Sequence, residues 1–251
     1  MKRFSLIAVF FIIFGALAGC GDSRTDYYNP PIKQYPSDVL DLRVWKLTLP
    51  YSTDDSENPG EIVNPELMTF SDHTSFFLNT EKNAVVFKAN SGGVSTPGSK
   101  YPRSELREML INGEKADWGT DDGGTHIMEA QMVITHLPEI KQHVVAAQIH
   151  DAEDDVMMIR LEGSNLFIER NSLDEITLDK NYQLSTRFSL RIEAAERSIK
   201  VWYNNVLKMD WQIEKTGCYF KAGCYVQSNT STDDPSAYGE VYIYDLIVRH
   251  Y

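Results

Sequence analysis

Short segments with alternating or apolar patterns, closed by turn residues, recur along most of this 251-residue chain. Turn signals such as Ser91-Gly92-Gly93 and Glu162-Gly163-Ser164-Asn165 separate many of them, and long helical periodicity is missing apart from one candidate turn of helix at 137–141. The pattern predicts an all-β sandwich of two antiparallel sheets, with one sheet apolar on both faces or nearly so and the other presenting polar residues. We predict strands at 44–49, 84–89, 127–134, 144–150, 157–161, 166–170, 183–194, 198–203, 219–227 and 240–248.

A further segment, Arg103-Ser104-Glu105-Leu106-Arg107-Glu108, carries charged groups at every second position. In an extended strand this spacing places Arg103, Glu105 and Arg107 on one face, while Ser104 and Leu106 face the other. A solvated cross-strand charge ladder has the same pattern, so this segment alone does not define a site.

Two other segments present polar side chains in the same way. Gln148 and His150 lie two residues apart, and Lys221, Tyr225 and Gln227 fall at even spacings in a strand of small and apolar residues. Three such strands side by side predict the floor of a groove that offers cations, an amide, an imidazole and a phenol. We expect such a floor to bind an anion.

The first nineteen residues have the proportions of a signal peptide, because Lys2 and Arg3 precede an apolar run too short to span a bilayer. The run ends in Leu17-Ala18-Gly19-Cys20, which resembles a bacterial lipobox, so we expect Cys20 to be a lipidated N-terminus. An ordinary signal peptide with a chance cysteine is the alternative. Gly21 rather than aspartate follows the cysteine, which favours anchoring at the outer membrane of the cell envelope.

Residues 20–36 are polar and proline-containing, as expected of a tether. The rest, 37–251, shows no second linker or repeat and is predicted to fold as one domain and to act as a monomer. The chain carries 36 acidic and 24 basic residues, a net charge of −12, which argues against nucleic acid as a partner. Salt screens charges beyond about 8 Å, so a basic groove inside an acidic protein is compatible with that balance.

Four segments resemble, in order and in separation, the signature blocks of the alginate lyases of polysaccharide lyase family seven. They are Trp45-Lys46-Leu47-Thr48-Leu49-Pro50, the stretch 103–109, Gln148-Ile149-His150 and Tyr219-Phe220-Lys221-Ala222-Gly223-Cys224-Tyr225-Val226-Gln227. This resemblance implies a β-jelly roll whose concave sheet binds alginate, a polymer of mannuronate and guluronate. It also implies cleavage by β-elimination without a metal or other cofactor.

Elimination from a uronate removes the proton on C5, next to the carboxylate, and releases the O4 oxygen. Arg103 and Gln148 are predicted to neutralise the carboxylate, because charge-assisted and amide donors stabilise the charge that develops there. His150 and Tyr225 are the titratable candidates for general base and general acid. The resemblance implies that the tyrosine protonates O4 and can also serve as base for mannuronate, while the histidine is the base for guluronate or neutralises the carboxylate. Tyr219 shares the predicted face of Tyr225, which is preferred because the resembling motif places the catalytic phenol there.

Four further residues are predicted to contact substrate: Glu105, Arg107, Lys221 and Gln227. Glu105 is interpreted as a partner that orients the arginines. The loops at 51–64 and 230–238 are predicted to flank the groove. The remaining histidines are interpreted as structural: His73, His126, His136, His143 and His250.

Within the resembling family, isoleucine at the middle of the glutamine-to-histidine block is common in enzymes that accept guluronate, and valine in those that prefer mannuronate. Ile149 therefore predicts a preference for guluronate-containing blocks. The function expected from the resemblance is an endo-acting alginate lyase. Three alternatives stay open: a lyase on another polyuronate such as glucuronan, a glycan-binding protein without activity, and a sandwich glycosidase with paired carboxylates. Glu105 and Glu108 differ by an odd number of residues, which counts against them as such a pair.

Cys218 and Cys224 lie six residues apart. On a straight strand this separates their Cα atoms by about 20 Å, which is beyond the reach of a disulfide. A bridge would require Gly217 and Cys218 to fold back before the strand begins, and the sequence leaves both outcomes open.

Overall fold

The computed structural model describes residues 32–54, 56–171 and 173–251, and Lys33–Tyr251 forms one compact unit. The predicted signal peptide and the predicted lipid attachment at Cys20 lie outside the described residues. No helix in the described ranges is long and apolar enough to cross a membrane.

Fifteen strands and two short 3₁₀ helices, Pro36–Asp38 and Glu66–Thr69, make up the regular structure of the described residues. The strands are β1 Trp45–Thr48, β2 Glu61–Ile62, β3 Phe76–Leu78, β4 Val85–Asn90, β5 Arg103–Glu108, β6 His126–His136, β7 His143–His150, β8 Asp155–Glu162, β9 Asn165–Glu169, β10 Ile176–Asp179, β11 Phe188–Ala195, β12 Ser198–Tyr203, β13 Val206–Gln212, β14 Tyr219–Val226 and β15 Tyr238–His250.

The strands form two antiparallel sheets, so the predicted all-β class is confirmed. One sheet has eight strands in the order β10-β9-β8-β7-β14-β5-β1-β2, and the other has seven in the order β13-β12-β11-β6-β15-β4-β3. The three strands that carry the predicted polar residues, β7, β14 and β5, are neighbours at the centre of the eight-stranded sheet.

The core contains apolar side chains from both sheets, among them Leu47, Phe87, Phe220 and Val241, all fully buried. Each side chain of this size contributes about 1.5–3 kcal/mol when removed from water. Because strand residues alternate between faces, burying these side chains turns their neighbours to the opposite, outer surface of each sheet.

Three details of the predicted secondary structure were wrong. The seven-stranded sheet is not apolar on both faces, since half-exposed Arg191 and Glu193 alternate with buried Leu190 and Ile192 along β11. Residues 137–141 contain no turn of helix, since only 139–141 form a bend. Four strands, β2, β3, β10 and β13, were missed because they are very short or, in β13, largely exposed at a sheet edge.

A β-bulge in β14 shapes the middle of the eight-stranded sheet. The pairing of β14 with β7 shifts between Ala222 and Tyr225, and Gly223 has a φ of +146°. A Cβ atom at Gly223 would lie 2.5 Å from the carbonyl oxygen of Ser104, so this close approach of two strands requires glycine.

The two cysteines of this region do not form a disulfide. Cys218 and Cys224 are both free and fully buried. Cys218 pairs through its backbone with Trp118, whereas Cys224 lies opposite Ser104 within the sheet, so the chain does not fold back to join them.

Candidate active site

A cavity of about 350 Å³ lies over the centre of the eight-stranded sheet. Of the eight residues predicted for the site, six line this cavity: Arg103, Arg107, Gln148, His150, Lys221 and Tyr225. Strand register explains why they meet, because residues that are distant in the sequence become cross-strand neighbours. Lys221 pairs with Arg107 on one side and Gln148 on the other, Tyr225 pairs with Arg103, and Tyr219 pairs with His150.

Glu105 lies beneath the cavity and connects three of its lining residues. Its carboxylate accepts hydrogen bonds from Arg103 Nη1 at 3.1 Å and from Gln148 Nε2, and it lies 2.6 Å from Lys221 Nζ. Burial by itself would raise the pKa of Glu105, but the charges of Lys221 and Arg103 outweigh burial and hold that pKa below its usual value. Burial, in turn, lowers the pKa of the Lys221 ammonium.

The interpretation of Glu105 as a partner of both arginines was therefore half right. Arg107 makes no hydrogen bond to Glu105; it donates to the backbone carbonyl of Glu108 at 2.7 Å, and its guanidinium lies 3.8 Å from the ring centre of Tyr219. Arg103 is stacked in the same way on Tyr225, at 3.7 Å. Two arginine–tyrosine stacks thus flank the Glu105–Lys221 pair.

The hydrogen bonds of His150 define its tautomer. Nδ1 lies 2.7 Å from the carbonyl oxygen of Asp151 and 3.1 Å from the hydroxyl of Tyr219. A carbonyl oxygen only accepts hydrogen bonds, so Nδ1 carries the proton and Nε2 of the neutral ring has a free lone pair. Burial, followed by the charge of Lys221, lowers the pKa of His150 and favours that neutral form.

The rims of the cavity contain residues that the sequence reasoning did not select. Loop 96–99 lies on one side, with Ser99 contacting Tyr225, and the acidic segment 153–155 lies on the other. Burial, followed by the charge of Asp154, raises the pKa of Asp155 to about 6. The turn composition of Thr96-Pro97-Gly98-Ser99 marked a loop but gave no indication of its contact with a strand far along the chain.

The predictions for the flanking loops and for Gln227 agree only in part with the observed cavity lining. Loop 51–64 contributes Glu61 to the lining, whereas loop 230–238 contributes nothing to it. Gln227 is buried just beyond β14, where its backbone N–H donates to the backbone carbonyl of His143, and it does not line the cavity. Its predicted contact with substrate stays a prediction.

The other histidines lie away from the cavity lining. His126 and His250 contact each other through their Nδ1 atoms at 2.7 Å, and His250 Nε2 lies 2.6 Å from buried Glu108. His143 lies 3.3 Å from Glu162, and His136 stacks on Tyr238.

Comparison with known proteins gives the family of this chain. A family model described as alginate lyase matches residues 40–250. The chain belongs to the alginate lyase family. It is similar to the solved alginate lyase AlgAT5 of polysaccharide lyase family 7, at 51% identity and a TM-score of 0.83, over 87% of this chain and 100% of that one. The predicted β-jelly roll is thereby confirmed.

Two further relatives are informative. A variant of alginate lyase A1-II', with one histidine changed to asparagine and one tyrosine to phenylalanine, was solved in complex with a substrate written GGMG. It is 25% identical, with a TM-score of 0.74, over 86% of this chain and 96% of that one. An alginate lyase of Klebsiella pneumoniae is 34% identical over 80 residues, which is 32% of this chain and 26% of the length of that curated relative.

Proposed function

We propose that this member of the alginate lyase family is an endo-acting lyase that cleaves the 1,4-glycosidic bonds of alginate by β-elimination. One observation carries the proposal: an imidazole with a free Nε2 lone pair and a phenol line the same cavity above a floor of cations. The family match supports alginate as the substrate class. The substrate complex of the A1-II' variant adds support, since that variant lacks one histidine and one tyrosine, the residue types that His150 and Tyr225 supply here.

The floor is suited to a uronate carboxylate. On the floor, Arg103, Arg107 and Lys221 contribute three cations against the single carboxylate of Glu105, so the floor is positive although the rim is acidic. Glu105 engages only some of the N–H groups of Lys221 and Gln148. Lys221 and the Gln148 amide each have further N–H groups for a substrate carboxylate. Such donors stabilise the charge that develops on this carboxylate as the C5 proton leaves.

In the proposed elimination, His150 Nε2 takes the C5 proton, and the C5–H electron pair forms the new C4–C5 double bond. The C4–O4 bond breaks, and its electron pair stays on O4, which receives the proton of the Tyr225 hydroxyl. The products are a saturated reducing end and an unsaturated non-reducing end, with His150 left as imidazolium and Tyr225 as phenolate. Proton exchange with solvent then restores both residues.

The alternative functions are less well supported by this arrangement. A glycosidase needs two carboxyl groups facing one bond, but Glu105 is covered by Lys221, and Glu108 accepts hydrogen bonds from the Trp118 indole and the backbone N–H of Phe220. A purely binding protein does not require a neutral imidazole with a free lone pair. A lyase acting on glucuronan would use the same floor, so the choice of polyuronate is a question for assay.

We further propose that guluronate-containing blocks are preferred, that the protein acts as a monomer and that Cys20 anchors it to the bacterial cell envelope. Support for the preference comes from Ile149, whose fully buried side chain packs behind Gln148 and His150. Support for the anchor comes from the lipobox-like sequence that ends at Cys20. A Cys20→Ser variant should lose incorporation of labelled fatty acid and move from the membrane fraction to the soluble fraction.

The central test is an assay with polymannuronate, polyguluronate and glucuronan at matched uronate concentration. A lyase produces unsaturated ends that absorb in the ultraviolet, a hydrolase produces reducing ends without that absorbance, and a binding protein produces neither. Endo action predicts that viscosity falls long before small products accumulate. Reducing ends without ultraviolet absorbance would contradict the proposed elimination.

A further inference from the structure

The hydroxyl of Ser99 makes an unusually crowded set of contacts at the edge of the cavity. Its oxygen lies 3.0 Å from the hydroxyl oxygen of Tyr225. It also accepts hydrogen bonds from the backbone N–H of Tyr101 at 3.1 Å and from Arg103 Nη2 at 3.2 Å. Its own hydrogen is within reach of the carbonyl oxygen of Tyr101, to which it can donate at 3.2 Å.

Counting donors and acceptors assigns a direction to the contact between Ser99 and Tyr225. A serine hydroxyl has one hydrogen to donate and two lone pairs that accept. The N–H groups of Tyr101 and Arg103 can only donate, so they occupy both lone pairs. The Ser99 oxygen therefore has no lone pair left for the Tyr225 hydroxyl. In any hydrogen bond between the two hydroxyls Ser99 is therefore the donor, and the tyrosine keeps its own proton available for the cavity.

We propose that Ser99 is a positioning residue that donates its hydrogen bond to the Tyr225 hydroxyl oxygen and stabilises the phenolate formed when Tyr225 protonates O4. This inference rests on the proposed role of Tyr225 as general acid. The Ser99 hydrogen has two acceptors in reach, the Tyr101 carbonyl and the Tyr225 oxygen, and the second becomes the stronger acceptor once it is charged. A stabilised phenolate makes the phenol a better acid at the step in which O4 departs.

Other groups around Tyr225 act on the same charge and keep their side chains in the test, although Ser99→Ala also removes the acceptor of one Arg103 N–H group, which Ser99→Thr retains. Arg103 is stacked on its ring, and the Tyr101 ring, itself contacted by Lys141, lies 6.5 Å from it. The other ionisable residues that line the shared cavity are Lys46, Glu61, Arg107, His150, Glu153, Asp154, Asp155, Tyr219 and Lys221. None of them is changed by a substitution at Ser99.

The test compares Ser99→Ala with Ser99→Thr, which keeps the hydroxyl, and with Ser95→Ala on the same loop, whose side chain is outside the cavity lining. For Ser99→Ala we expect kcat on alginate to fall about tenfold with KM within about twofold. Ser99→Thr should keep kcat near the wild-type value, because it retains the hydroxyl, and Ser95→Ala should match the wild type.

A merely structural role for Ser99 would not be rescued by threonine, whose added methyl group changes the packing of the loop. The proposal is overturned if kcat of Ser99→Ala stays within twofold of the wild type, or if its KM changes as much as its kcat, or if kcat of Ser99→Thr falls as far as that of the alanine variant. Tyr225→Phe, measured in parallel, separates the two levels of inference. Absence of unsaturated product from the wild type removes the proposed function, and retained activity in Tyr225→Phe removes the role of Tyr225 as general acid. An inactive Tyr225→Phe beside an unaffected Ser99→Ala removes only the role of Ser99.

Discussion

The ammonium nitrogen of Lys221 lies 2.6 Å from the carboxylate of Glu105, and the two side chains expose only 10% and 1% of their surface. They come from neighbouring strands, with Glu105 on β5 and Lys221 on β14. The buried pair lies at the centre of a polar cluster on the cavity floor, because the same carboxylate also accepts hydrogen bonds from Arg103 and Gln148. Its removal should therefore affect both stability and catalysis.

We predict that Glu105→Gln destabilises the protein by about 3–5 kcal/mol, because it leaves the Lys221 charge buried without its partner. Glu61→Gln is the matched control, since Glu61 is 47% exposed and pairs with Lys46 at the surface. That change should cost about 0–1 kcal/mol. Urea unfolding of both variants at neutral pH measures the difference. Equal losses of unfolding free energy in the two variants would show that the buried pair stabilises the fold no more than the surface pair does.

Tyr225→Phe should abolish turnover while polymer binding is retained, because the substitution removes the phenolic proton and leaves the ring stacked against Arg103. Initial rates of ultraviolet absorbance and affinity electrophoresis on alginate gels measure the two properties separately. Tyr238→Phe, which lies outside the cavity lining, serves as the control. Activity of Tyr225→Phe within tenfold of the wild type would exclude the phenol as the general acid.

The acid limb of kcat/KM should have its midpoint below the ordinary histidine pKa of about 6.5. The base must be neutral to accept the C5 proton, and burial, followed by Lys221, lowers the pKa of His150. Activity is therefore lost only as the pH falls through that lowered pKa. Asp155, whose pKa burial raises to about 6, is the other candidate for this limb. An Asp155→Asn variant should keep the limb, and disappearance of the limb in that variant would assign it to Asp155 instead.

Arg103→Ala and Gln148→Ala should each lower kcat by about 100-fold or more, because their contacts matter most when charge develops on the substrate carboxylate. Arg107 is occupied by the Glu108 carbonyl and the Tyr219 ring, so Arg107→Ala should raise KM more than it lowers kcat. Steady-state kinetics on one alginate preparation give both parameters. A change confined to KM in the Arg103 or Gln148 variant would assign that residue to binding alone.

Ile149→Val should reduce the ratio of initial rates on polyguluronate and polymannuronate by several-fold. The side chain is fully buried, and loss of one methylene from a core costs about 1 kcal/mol and lets the strand relax. Such relaxation changes how far the neighbouring Gln148 and His150 reach towards C5. Ile159→Val, on β8 and also fully buried, controls for a general loss of packing. An equal ratio in the two variants would contradict the assigned role of Ile149.

The sequence by itself determined the fold class and most of the floor of the cavity. Period-two alternation in Arg103–Glu108 and at Gln148 and His150 specifies which side chains share a strand face, because that geometry is local to the strand. The sequence analysis predicted that the three polar strands lie side by side, and the structure confirms that β7, β14 and β5 are adjacent.

Only the tertiary structure decided which partners each polar group has. Contacts between Ser99 and Tyr225, and between Tyr219 and His150, join residues 126 and 69 positions apart. Strand periodicity carries no information about such distances, because loop conformation and the bulge at Gly223 determine them. Glu105 shows the same limit: its face was predictable, but its pairing with Lys221 in place of Arg107 depends on the order and register of the assembled strands.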